Sequence, residues 1–108
     1  MKMTIKTIHL SRITKLIEDW STERGLHKSD PKAQMLKVTE ELGELAGGLA
    51  RDNQEIIKDS IGDLYVTLVI LAQQLDLDLL ECIEGAYKEI SDRKGEMRNG
   101  IFVKEEDL

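Results

Sequence analysis

Leu64-Tyr65-Val66-Thr67-Leu68-Val69-Ile70-Leu71-Ala72 is a nine-residue, almost wholly apolar run that could form a buried strand or the middle of a helix. Its β-branched Val66, Thr67, Val69 and Ile70 suit a buried strand. The apolar positions Ile57, Ile61, Leu64, Leu68, Leu71 and Leu75, however, step by threes and fours across a span much longer than a typical strand, which is the signature of a helix. We read the run as the centre of a long third helix, capped by Asp52 or Asn53. A helix apolar on every side needs cover on every side, and three other segments of one small chain supply little of it, so the reading predicts a dimer or larger assembly.

The same periodicity extends outward in both directions. Toward the N-terminus, Met35, Val38, Leu42, Leu45 and Leu49 form the expected buried stripe of a second helix that opens at Asp30-Pro31, with Asp as cap and Pro in the first turn. The small pair Gly47-Gly48 lowers helix propensity there but lets a neighbouring helix come close. Before it, Leu10, Ile13, Ile17 and Trp20 mark an amphipathic first helix from about Thr7 to Arg24, closed by Gly25-Leu26. Trp20 on that stripe serves either core packing or stacking on a nucleobase. Toward the C-terminus, Asp78 to Glu81 reads as a capping box that opens a fourth helix with Leu79, Ile83, Ala86 and Ile90 inward, ending at Arg93-Lys94-Gly95. Cys82 is expected to be a small buried hydrophobe. Beyond a turn at Asn99-Gly100, Ile101-Phe102-Val103 and an acidic end are expected to form an extended arm.

The 108 residues therefore predict one all-α domain, a four-helix bundle over 1–95 with a C-terminal arm over 96–108. The single Pro and 4% aromatic content agree with helices rather than short strands. A net charge of −6 leaves no basic footprint for a nucleic-acid polymer. A lone cysteine rules out an intramolecular disulfide, no apolar run is long enough to span a bilayer, and no secretory h-region is seen, so the expected compartment is the cytoplasm.

Two acidic segments stand out from this frame: Glu40-Glu41-Leu42-Gly43-Glu44 on the second helix and Asp59-Ser60-Ile61-Gly62-Asp63 on the third. Carboxylates three or four residues apart share a helix face, and both sets border the apolar stripes of helices expected to be antiparallel. One Glu-x-x-Glu among 21 acidic residues means little, since Lys37, four residues before Glu41, makes an ordinary surface pair. Two sets packed together repel unless a cation neutralises them, which points to a hard divalent ion and through it to phosphates.

These segments, with Lys37-Val38-Thr39 before them and Arg93-Lys94-Gly95-Glu96-Met97 and Asn99 to Lys104 after, resemble the all-α nucleoside triphosphate pyrophosphohydrolases, in particular the small MazG-like proteins. The family pattern is Glu-x-x-Glu followed by Glu-x-x-Asp. The resemblance implies Mg²⁺-dependent cleavage of nucleoside triphosphates to monophosphate and pyrophosphate, with Mn²⁺ as an alternative ion, in a homodimer or homotetramer. It implies Glu41, Glu44 and Asp63 as metal ligands, and either Glu41 or Glu44 as the group that activates water. Ser60 stands where the second motif has Glu, so the neighbouring Asp59 is the conditional fourth ligand. Lys37, Arg93, Lys94 and Lys104 are phosphate-contact candidates, although Arg93 and Lys94 also suit the helix dipole. Gln34 and Trp20 are base-contact candidates by residue type. The departure at Ser60 sets a second expectation beside the enzyme: a weakly active or non-catalytic nucleotide-sensing or dimerisation module of the same fold.

Overall fold

The structure is a computed structural model that describes residues 9–108. Four helices form in order, α1 (Leu10–Glu23), α2 (Pro31–Ala50), α3 (Gln54–Gln74) and α4 (Leu79–Ser91), followed by strands β1 (Gly95–Arg98) and β2 (Ile101–Lys104). The expected start of the first helix at Thr7 lies outside the described residues. Leu64 to Ala72 is helical throughout, as the three-four periodicity requires.

Local chemistry sets the helix ends. Asp30 Oδ1 accepts from Lys32 N at 3.0 Å ahead of Pro31, Asn53 Oδ1 accepts from Ile56 N at 3.1 Å, and Asp78 Oδ1 accepts from Leu80 N at 2.9 Å. Each replaces a partner that the first helical amides lack. After α1 the chain passes through Gly25 in the left-handed region at φ 74° and a short 3₁₀ turn at Leu26–Lys28.

Helices α2 and α3 pack antiparallel. Near the turn between them, buried Gly48 lies against Ile56 and Ile57, and at the far end Gln34 Nε2 donates to Thr67 O at 3.1 Å. These two anchors fix the rotation of α2. Its covered line runs through Gln34, Val38, Glu41, Leu45 and Gly48, and Met35, Leu42 and Leu49 of the expected stripe are exposed. Glu41 thus lies on the packed face of α2 instead of beside it.

Helix α1 also departs from the expected face. It and the 3₁₀ turn that follows meet α3 through polar groups: Thr14 Oγ1 and Tyr65 Oη are 2.6 Å apart, Gln73 Nε2 donates to Glu18 O and Thr22 Oγ1, and Gln74 Nε2 donates to Leu26 O in the turn. Thr14 and Ser21 are buried there, and Leu10 and Trp20 remain open to solvent. The apolar centre comprises Val38, Val69, Ile70 and Ala72. With α1 on one side of α3 and α2 on another, every residue from Leu64 to Gln74 is at least half-buried within one chain. The apolar surface left uncovered lies elsewhere.

Much of it is on α4. Only Leu79 and Leu80 of its first turn are partly covered, and every residue from Glu81 to Ile90 is exposed, including Ile83, Tyr87 and Ile90. The expected inward face therefore has no partner in this chain, and Cys82 is exposed rather than buried. The helix ends at Ser91, before the expected Arg93-Lys94-Gly95. The C-terminal arm is extended but folds back on itself, because Asn99 and Gly100 both take positive φ, the geometry of a two-residue hairpin turn. β1 and β2 pair antiparallel with Arg98 opposite Ile101 and Gly95 opposite Lys104. Helix α4 and this hairpin project from the α1–α3 body, and the radius of gyration reaches 16.8 Å, against about 13 Å for a compact chain of this size. Among the described residues no helix is long and apolar enough to cross a membrane.

Candidate active site

The α2–α3 seam brings the two acidic segments together. Glu41 sits on the packed face of α2, and its Oε2 is buried without a hydrogen-bond partner. Burial first, then the charges of Glu44, Asp63 and Glu40, push its carboxyl above the usual carboxylate range. A partly buried carboxylate among three like charges would be stabilised by a cation. Asp59 is exposed and is not among the charges that act on Glu41. Ser60, only 2% exposed, is shut into the packed face of α3 one turn before Asp63.

Among the described residues no three acidic, histidine or cysteine side chains form a ready-made cation cage. The donor set nevertheless fits a hard divalent ion in kind: carboxylate oxygens only, excess negative charge, and one oxygen that is buried and unpaired. Glu41, Glu44 and Asp63 are the groups available to hold it.

The cationic candidates are distributed differently. Lys37 reaches Glu40 at 3.4 Å and not Glu41, the i+4 partner expected for it. Arg93, Lys94 and Lys104 come together in a cleft of about 540 Å³ where α4 meets the hairpin, alongside Glu89, Asp92 and Glu105. In that cleft Arg93 is 3.8 Å from Glu89, and the Lys94 carbonyl accepts from Glu105 N at 2.7 Å. These three form a separate group from the α2–α3 carboxylates. Gln34 is engaged with Thr67. Trp20, 46% exposed, stacks under the Arg24 guanidinium at 4.1 Å from the ring centroid and borders an apolar groove with Ile13, Leu16, Ile17 and Val66.

The chain has counterparts among known proteins. The profile of the MazG nucleotide pyrophosphohydrolase domain matches residues 29–97, which span α2, α3, α4 and β1 up to Met97, well over half of the chain. The chain belongs to that family. As in the MazG fold class expected from the sequence, four helices dominate and the only sheet among the described residues is the small hairpin. A relative of this chain, the uncharacterized 18.2 kDa protein of the rep-hol intergenic region of Haemophilus phage HP1 (strain HP1c1), is 46% identical over 70 residues. The alignment covers 64% of this chain and 43% of the phage protein, so the chain spans less than half the length of that relative. No solved structure matches it.

Arg51 was not among the candidates that the sequence pattern singled out. Arg51, at the C-terminal cap of α2, lines an open cleft of about 430 Å³ together with Glu40 and Glu44. Its spacing from Glu44, seven residues or two helical turns, was the available signal.

Proposed function

We propose that the chain is a Mg²⁺-dependent nucleotide pyrophosphohydrolase that cleaves nucleoside triphosphates to monophosphate and pyrophosphate. The observation that carries this reading is Glu41: a carboxylate on the packed face of α2, crowded by Glu44, Asp63 and Glu40, with one oxygen buried and unpaired. Glu41, Glu44 and Asp63 would hold the ion, which when bound would neutralise phosphate charge and polarise water. Water oxygen bonds to the α-phosphorus, the bond from that phosphorus to the oxygen bridging to the β-phosphate breaks, and pyrophosphate leaves with the bridging oxygen. Glu41 accepts the proton that water releases. Its buried Oε2, which has no hydrogen-bond partner among the described residues, supports Glu41 over Glu44 in this role.

The purified protein, incubated with Mg²⁺ and a panel of ribo- and deoxyribonucleoside triphosphates, is expected to release pyrophosphate and monophosphate in equal amounts, and Glu44→Gln to abolish the release. Release of inorganic phosphate and diphosphate instead, or no turnover of any triphosphate, would refute the reading.

Ser60 favours a second reading. Buried in the seam where the family motif has a carboxylate, it leaves the site one anionic ligand short. A nucleotide-sensing or dimerisation module would bind triphosphate and ion without turnover, and the same assay separates the two.

Self-association belongs to both readings. Leu42 and Leu49 on α2, Ile61 on α3, and Ile83, Tyr87 and Ile90 on α4 are exposed in one chain. This exposed apolar set, above all the uncovered face of α4, supports a homodimer or homotetramer. Light scattering is expected to give a mass of two or four chains, and a monomeric mass would remove this element of the proposal.

A further inference from the structure

The carboxylate face of α2 continues beyond Glu44. Glu40, Gly43, Glu44, Gly47 and Arg51 recur at three- and four-residue steps, so they form one line along the helix, and with Ile56 of α3 they border the 430 Å³ cleft. Nothing lies within 4 Å of where a Cβ would stand at Gly43 or Gly47. The floor of the cleft is therefore open helix backbone, against which a ligand can lie lengthwise. Carboxylates stand at one end of this floor. At the other end is the exposed guanidinium of Arg51, which enters no ion pair among the described residues.

We propose that Arg51 is a substrate-binding residue, its guanidinium receiving the terminal phosphates of a nucleoside triphosphate that lies along the Gly43–Gly47 floor with its α-phosphorus at the Glu44 end, one helical turn from Glu41 on the seam side. The inference rests on the pyrophosphohydrolase reading above and assigns the direction in which the substrate lies. Seven residues of helix separate Glu44 from Arg51, a rise of about 10 Å. The phosphate chain and the long arginine side chain close that gap from opposite ends. Arginine suits the task because its planar fork grips phosphate oxygens in pairs, and it holds the pyrophosphate portion, the part that leaves. A cation at the end of α2 also complements the helix dipole. Lysine would fill that role equally well, but it lacks the fork.

The test compares wild type, Arg51→Ala and Arg51→Lys in Mg²⁺, measuring calorimetric binding of non-hydrolysable α,β-imido nucleoside triphosphates and of the matching monophosphates, together with steady-state pyrophosphate release. Arg51→Ala is expected to weaken triphosphate binding by about ten- to a hundredfold, the loss of a charged hydrogen-bond pair. Monophosphate binding should change less than about twofold on the same scale, KM should rise more than kcat falls, and Arg51→Lys should recover part of the loss. Unchanged triphosphate binding, or equal weakening for both nucleotides, would overturn the assignment while the enzyme reading stands. A wild type that neither binds nor hydrolyses any triphosphate would overturn the enzyme reading and this inference with it.

Discussion

A Cβ placed on Gly48 would come within 2.9 Å of Ile56 Cγ2 and 3.3 Å of the Ile57 backbone nitrogen. No side chain larger than hydrogen fits between α2 and α3 at that point, and the close approach it permits sets how near Glu41 and Glu44 stand to Asp63 one to two turns away. Neither neighbour yields readily, since Ile56 is β-branched and Ile57 presents main chain. Gly48→Ala should therefore lower stability by about 1–3 kcal/mol despite alanine's higher helix propensity, in line with overpacking of a close seam. Gly47→Ala, one residue away with open space at its Cβ position, is the control and should hold or raise the melting temperature. Thermal denaturation of both variants decides the matter, and a Gly48→Ala protein as stable as wild type would mean that the helices separate freely.

A second prediction concerns pH. Glu41 titrates above the usual carboxylate range because burial and the charges of Glu44, Asp63 and Glu40 disfavour its ionised form. The folded value lies above the unfolded one. The group's contribution to stability is then complete below the ordinary carboxylate value and is lost as pH rises through the raised one. At neutral pH, without metal, Glu41→Gln should raise the melting temperature by a few degrees and flatten its fall with pH above the carboxylate range. With millimolar Mg²⁺ the order reverses. Wild type should gain stability, since a ligand that binds only the folded state raises its melting point, and Glu41→Gln should gain little. Melting curves across pH with and without Mg²⁺ test both halves. A Glu41→Gln variant that is less stable than wild type in chelator would contradict the like-charge account.

The course of the backbone was legible because its signals are local. Asp30-Pro31, Asn53 and Asp78 act on amides two or three residues away, and Asn99-Gly100 forms its turn from two residues alone. Faces were less legible because they depend on what lies opposite. Apolar spacing placed Leu42 and Leu49 inside, but the contacts of Gly48 with Ile56 and of Gln34 with Thr67 rotate α2 so that Glu41 and Leu45 take the covered line. In α1 the apolar stripe was correctly seen as a stripe, yet Thr14, Ser21 and the glutamines of α3 make the actual joint. For α4 the pattern revealed an apolar face with no indication of what covers it, and Cys82 was assigned to a core that this chain does not supply. The pairing of Gly95–Arg98 with Ile101–Lys104 was hidden by the shortness of both segments, since four residues give too little alternation to read. The two acidic segments were visible from carboxylate spacing, but which carboxylate is buried depended on the rotation of α2.

That rotation bears directly on Ser60. Being 2% exposed and one turn from Asp63, it is the position from which a carboxylate would enter the cluster through the seam, whereas Asp59 beside it faces solvent. Ser60→Glu adds a further like charge to a packed site, so without metal its melting temperature should fall by several degrees, the consequence of burying an unpaired anion. Mg²⁺ should then raise it by more than it raises wild type, because the added ligand binds the ion only in the folded state. Ser60→Gln, of the same size and uncharged, separates the two effects: it should share any steric loss and show no enlarged response to Mg²⁺. Thermal melts of the three proteins in chelator and in millimolar Mg²⁺ provide the comparison. A smaller Mg²⁺ response in Ser60→Glu than in wild type would place the fourth ligand at Asp59 instead, and Asp59→Asn in the wild-type background would then abolish the response.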